Sequence, residues 1–162
     1  MRIGLISDTH GYLDPAVERI FEGVGHILHA GDIGGRPIIH QLERVAPVTA
    51  VLGNNDWESD WRTTEVVELE GVAILIHHIV TPGHLAPELA GAMERRRPRV
   101  VVYGHTHQAA SRELDSVLYV NPGYSGKPRF NAPRSVAIMD LEPGRAPSIR
   151  MVPLATLDPG AR

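Results

Sequence analysis

Five short segments of this 162-residue chain concentrate side chains that ligate metals or carry protons: Asp8-Thr9-His10, Gly31-Asp32, Gly53-Asn54-Asn55-Asp56, His77-His78 and Gly104-His105-Thr106-His107. In Asp8-x-His10 and His105-x-His107 two ligand types stand two residues apart, so one tight turn can direct both at a common centre. Asp32 adds a carboxylate, Asn54 an amide oxygen and His77 a further imidazole. This mixture of oxygen and imidazole donors suits Mn, Fe, Zn, Ni or Co better than Ca or Mg, whose sites are built from oxygen. Seven candidates are too many for one such ion with an open position. Two ions about 3.5–4 Å apart, sharing one carboxylate, use them all and leave room for water.

The segments can meet only if the elements before them end in one place, and the hydrophobic pattern supplies such elements. Residues 2–7, 26–30, 47–52, 72–76 and 99–103 read as buried strands, and each runs directly into one of the five segments. Helical patterns start at Asp14-Pro15, where Asp14 can cap and Pro15 fits the first turn, and at about Pro37, with Ile38, Ile39, Leu42 and Val45 inward. Residues 64–69 pair with 72–76 as a hairpin about Glu70-Gly71, and residues 82–97 read as a helix closed by Arg95-Arg96-Arg97. Strands over 117–120, 135–141 and 148–153 complete the pattern, which predicts an α/β class with mixed sheets. One domain is expected over 1–157, with a frayed tail over 158–162. In open α/β sheets, sites form outside the carboxyl ends of the strands, where these loops fall.

Composition narrows the functions available. A net charge of −3 and a pI near 6.3 argue against bulk nucleic-acid binding. The absence of cysteine removes thiolate nucleophiles and Cys-built zinc sites. The apolar runs are far shorter than the ~18 residues of a membrane span, and the N-terminus lacks the pattern of a signal peptide, so no membrane association and a cytoplasmic location are expected. A homo-oligomer is left open.

Asp8-x-His10, Gly31-Asp32, Gly53-Asn54-x-Asp56, His77 and Gly104-His105-x-His107 together resemble the motif series of the calcineurin-like metallophosphoesterases, over residues 2–141. Asn121-Pro122-Gly123 also fits their small prokaryotic phosphodiesterase branch. The resemblance implies a four-layer α/β/β/α sandwich with two mixed sheets. It implies one metal on Asp8, His10 and His107, a second on Asn54, His77 and His105, and Asp32 as the bridge. Asp32, Asn54 and His77 are then the residues nearest the chemistry. The implied activity is phosphodiester hydrolysis of small or nucleotide-type substrates by a metal-bridging hydroxide, with manganese favoured and Fe, Ni, Zn or Co as alternatives. A non-catalytic interaction scaffold of the same fold, as in a retromer subunit, is the competing reading.

Two departures accompany the resemblance. Where the family has Gly after the strand-end histidine this chain has His78, so the ligand lies between His77 and His78, with His77 favoured. Where many members have a proton-donating histidine after the ligand Asn, this chain has Asn55, whose amide is no acid. Asp56 either orients a ligand histidine or closes the Gly53 turn. Trp57 and Trp61 either stack on a nucleoside or aryl ester or pack in a core. Lys127 and Arg129 meet a phosphate or are simply solvated, and His84 faces the site or begins a helix. His26, His29 and His40 are read as structural or exposed.

Overall fold

The computed structural model describes residues 1–57, 60–129 and 132–155. In chain order the elements are β1 (Arg2–Ile6), α1 (Ala16–Ile20), β2 (His26–His29), α2 (Arg36–Glu43), β3 (Val48–Ala50), β4 (Thr64–Leu69), β5 (Val72–His77), α3 (Pro87–Arg96), β6 (Val100–Val102), β7 (Ala110–Leu114), β8 (Val117–Asn121), β9 (Arg134–Asp140) and β10 (Ser148–Leu154). The expected tail over 158–162 lies outside the described residues.

Alternation along the strands decides the layering. In β1, Ile3 and Leu5 face one way and Ile6 the other; in β5, Ile74 and Ile76 face one way and Leu75 the other. Ile3, Leu5, Leu28 and Ala30 therefore meet Ile74, Ile76, Val100 and Val102 in a dry layer between two sheets. Outside it, Ile6 and Ile27 pack on Val17 and Phe21 of the α1 region and on Ile38, Ile39 and Leu42 of α2. On the far side Leu75 and Val101 pack on Leu89 of α3. The order of layers is α/β/β/α, as the family resemblance implied.

The first sheet runs β10-β9-β1-β2-β3 and the second β4-β5-β6-β8-β7. Strands β1, β2 and β3 are parallel, as are β5, β6 and β8; β9 joins β1 antiparallel and carries β10 antiparallel, while β4 and β7 flank the second set antiparallel. Parallel pairing puts the carboxyl ends of β1, β2 and β3 on one rim, and those of β5 and β6 on the facing rim. None of the described helices is long and apolar enough to cross a membrane.

Two elements depart from the sequence expectation. The third helix begins at Pro87 rather than at residue 82, because Pro87 sits in its first turn and holds Ala86 at φ −60°, ψ 149°, outside the helix. The edge strand β7, to which the sequence pattern assigned no element, forms because its backbone pairs with β8 although four of its five residues are exposed.

A buried cation ties the C-terminal strands to the loops below the site. The Arg134 guanidinium, wholly buried, donates to the carbonyls of Gly126 (2.7 Å), Ala155 (2.7 Å) and Ser125 (3.3 Å) and to Asp14 (2.8 Å). Removing it strands the carboxylate and three carbonyls. Arg134→Ala is accordingly expected to lose about 3–5 kcal/mol of stability, read as a lowered urea midpoint; an unchanged midpoint would remove this tie from the account.

Candidate metal centre

Most of the candidate ligands sit on left-handed backbone. φ is 56° at Asp8, 47° at His10, 53° at Asp32, 68° at His105 and 59° at His107. Asp and His tolerate this region better than most residues, yet each such residue costs roughly 1–2 kcal/mol. Main-chain bonds hold the loops there. Asp8, His10 and Gly11 donate N–H groups to the carbonyls of Gly31 (3.0 Å), Asp32 (2.9 Å) and Ile33 (2.8 Å), so the first two loops run side by side. The Asp56 carboxylate draws in the third by accepting the N–H groups of Ile33 (3.1 Å), Gly34 (3.0 Å) and Gly53 (2.8 Å). Asp56 thus closes its own turn and ties it to the Asp32 loop; it makes no hydrogen bond to a ligand histidine. From the second sheet, Gly104 N–H donates to His78 O (3.0 Å), and the Asn121 amide donates to Gly104 O (2.9 Å) and Thr106 Oγ1 (3.0 Å).

The glycines before two candidate ligands are required by crowding. A Cβ at Gly53 would collide with Asp32 Oδ1, and one at Gly104 with Ser7 Oγ and Asp8 Oδ2. The carboxylates occupy the space those side chains would fill.

Asp8, His10 and His107 form one group whose candidate ligand atoms lie within 4.8 Å of one another; Asp8, Asp32 and His78 form a second. His107 Nε2 is 3.2 Å from Asp8 Oδ1, and His78 Nε2 is 4.0 Å from the same oxygen. Asp8 is common to both groups, and Asp32 also reaches both, with Oδ2 3.7 Å from His10 Nε2 and Oδ1 3.5 Å from His78 Nε2. Asp8 Oδ1, His10 Nε2 and His78 Nε2 are buried without hydrogen-bond partners. Such orphans are rare and costly, and three converging on shared carboxylates form a donor set that a divalent cation would satisfy. His78 Nδ1–H donates to Ala30 O (2.7 Å), which leaves a lone pair on the inward Nε2. Beside it lies His105, its ring centre 5.4 Å from that of His78 and its Nδ1 2.9 Å from Asn54 Oδ1.

His77 is placed elsewhere. Its Nδ1 is 2.8 Å from Thr64 Oγ1, and its charged neighbours are His78 and Glu88 rather than the central carboxylates. The period of the strand explains this: Ile74, Ile76 and residue 78 share the inward face, while Leu75 and residue 77 face α3. That alternation was visible in the sequence, and it favours His78 over His77.

Asn55 makes a contact that its sequence position did not suggest. Its backbone N–H donates to Asp32 Oδ1 (2.9 Å) and its amide Nδ2 to Asp32 Oδ2 (2.7 Å). Burial works to raise the Asp32 carboxyl, but these two bonds, with His78 and His10 nearby, hold it below the ordinary value. Asp8 goes the other way: burial raises it in spite of the Ser7 hydroxyl (2.6 Å) and the flanking His78 and His107. Burial lowers His107, which Asp8 opposes and the charges of His10 and Arg129 reinforce.

The remaining histidines have other duties. His29 is fully buried, donates through Nε2 to Thr9 Oγ1 (2.9 Å), accepts the Gly31 N–H (3.2 Å), and is pushed by burial to a pKa of about 3. His26 pairs with Thr49, and His40 and His84 are exposed. Trp61 packs against the core beneath α1 and α2, whereas Trp57 is 92% exposed beside a hollow of about 260 Å3 that Gly34, Gly35, Asn55 and Asp56 also line.

Comparison with known proteins agrees with this fold. Residues 1–144 match the model of the calcineurin-like phosphoesterase superfamily domain. The chain belongs to that superfamily. A probable metallophosphoesterase of Methanothermobacter thermautotrophicus is 36% identical over 150 residues, covering 88% of this chain and 87% of the relative. Among solved structures, an archaeal phosphodiesterase superposes with TM-score 0.75 at 29% identity, covering 95% of this chain and all of that one. Vps29 of Entamoeba histolytica, in a structure with zinc, shares the fold with TM-score 0.73 at 19% identity, covering 94% and 99% of the two chains.

The orphaned nitrogen of His78 sets a test against its neighbour. His78→Ala is expected to weaken manganese binding at least ~10-fold and His77→Ala much less, as measured by titration calorimetry; the reverse order would return the role to His77.

Proposed function

We propose that this chain is a metal-dependent phosphodiesterase. The observation that carries the reading is the convergence of three unpartnered buried atoms, Asp8 Oδ1, His10 Nε2 and His78 Nε2, on carboxylates shared between two ligand groups. In this reading Asp8, His10 and His107 hold one divalent ion, Asn54, His78 and His105 hold another, and Asp32 serves both. His78 here replaces the His77 of the sequence expectation. Ions so held supply a water of lowered pKa and charge to offset that developing on phosphoryl oxygens.

The chain's own residues set the rest. Asn55 fixes both oxygens of Asp32, so the shared carboxylate is oriented before any ion arrives. The same engagement means that the Asn55 loop offers the leaving group no acid, and His84 is exposed on a different loop. Departure must then depend on the leaving group's own stability as an anion. A diester, with one negative charge, also suits attack by hydroxide better than a dianionic monoester does. The names of the metallophosphoesterase and phosphodiesterase relatives support the same class.

The fold shared with Vps29 supports the scaffold alternative. Metal binding does not separate the two readings, because that neighbour was solved with zinc; turnover does.

Two measurements test the proposal. Protein prepared in excess manganese should carry two ions per chain and hydrolyse bis(4-nitrophenyl) phosphate, and Asp32→Asn should impair binding of both ions. A wild-type chain that never exceeds one ion, or that carries two and turns over no diester, would defeat it. In a leaving-group series, aryl diesters should be cleaved much faster than alkyl diesters. Asn55→His should flatten the dependence while Asn55→Ala does not; a flat series in the wild type would show that another group donates the proton.

A further inference from the structure

Next to His107 stands a cation that the ligand set does not use. The guanidinium carbon of Arg129 lies 4.9 Å from the centre of the Tyr124 ring. That ring also meets His107, with centroids 4.8 Å apart, and His10, at 6.0 Å. Tyr124 is only 2% exposed, and its hydroxyl donates to Lys127 O (3.0 Å), which fastens the turn that carries Arg129. Arg129 itself is exposed, and among the described residues it forms no ion pair. Other arginines are neutralised nearby: Arg134 by Asp14 at 2.8 Å and Arg145 by Glu142 at 2.7 Å. An aromatic face holds a guanidinium flat and leaves the N–H groups of its edge free, and that planar fork matches two oxygens of a phosphate.

We infer that Arg129 is an anion-binding residue of this site, its guanidinium taking oxygens of the substrate's phosphoryl group on the His107 side of the centre. The inference rests on the phosphodiesterase reading for its substrate but not for its ligand class, an oxyanion of phosphate. Arg129 holds the phosphoryl group in the ground state and transition state alike, so its loss should appear in KM more than in kcat.

The test uses manganese-loaded wild type, Arg129→Ala, Arg129→Lys and Arg145→Ala. Arg145→Ala makes the same change in net charge at an exposed position on the turn between β9 and β10. Inorganic phosphate binding is measured by calorimetry, and bis(4-nitrophenyl) phosphate hydrolysis by steady-state kinetics. Arg129→Ala should weaken phosphate binding and raise KM, each ~10-fold, as expected for loss of one charge-assisted contact. Manganese affinity should stay within about twofold, since Arg129 lies outside the ligand set. Arg129→Lys, which keeps the charge but not the fork, should recover part of the loss, and Arg145→Ala should match wild type. Unchanged phosphate affinity and KM in Arg129→Ala would overturn the inference, as would an equal loss in Arg145→Ala, which would mark a bulk charge effect. If the wild type hydrolyses no diester, the functional reading falls while the phosphate titration still decides the role of Arg129.

Discussion

The dry layer between the two sheets holds the candidate centre together. Asp8, His10, Asp32 and Asn54 follow strands of the first sheet, whereas His78, His105 and His107 follow strands of the second. Nothing in either sheet alone would keep the two sets in reach of each other. Their spacing is set by Ile3, Leu5, Leu28 and Ala30 packed on Ile74, Ile76, Val100 and Val102, all fully buried. Each large aliphatic side chain buried there contributes about 1.5–3 kcal/mol, so the layer readily offsets the cost of the strained loops on its rim.

Electrostatics within the centre are asymmetric: burial outweighs the opposing hydrogen bond and charges at Asp8 but not at Asp32. Asp8 and Asp32 are both buried and face each other's imidazoles. Asp32 receives two donors from Asn55 and is held ionised, while Asp8 receives the Ser7 hydroxyl and the His105 N–H (3.2 Å) yet is shifted upward by burial. Asp8 belongs to both ligand groups, and Asp32 reaches His10 of one and His78 of the other. A carboxylate that serves both groups gains most from a fixed orientation, and an amide, unlike an imidazole, supplies its donor at every pH.

How much of this was legible in the chain follows from the range of each signal. Strand-end motifs are local patterns, and of the seven candidates they offered the structure brings Asp8, His10, Asp32, Asn54, His105 and His107 together; the layer order came from the family resemblance and not from the local pattern. The proposed exchange of His77 for His78 turns on the strand's period of two, a local signal outweighed by the family pattern. That Asp56 closes the Gly53 turn was one of two readings of its position, but the ties of Asn55 and Asp56 to the Asp32 loop were not legible, because that loop is more than twenty residues away. For Arg129 the sequence left phosphate contact and solvation both open, and the contacts that bear on the choice, with Tyr124 and through its ring with His107, appear only in the fold. The short α3 and the exposed β7 show the same division, with proline chemistry deciding the first and pairing with a neighbour the second.

The left-handed backbone of Asp8, His10, Asp32, His105 and His107 carries a consequence for how such a chain would drift. Each position suits glycine by conformation yet carries a larger side chain, which the proposed ligand role accounts for. A lineage relieved of holding ions would meet its easiest stabilising substitutions at these same positions, and the inter-sheet layer would survive them untouched. Chemistry is in this sense the most readily shed property of the architecture, and the sandwich beneath it the most durable.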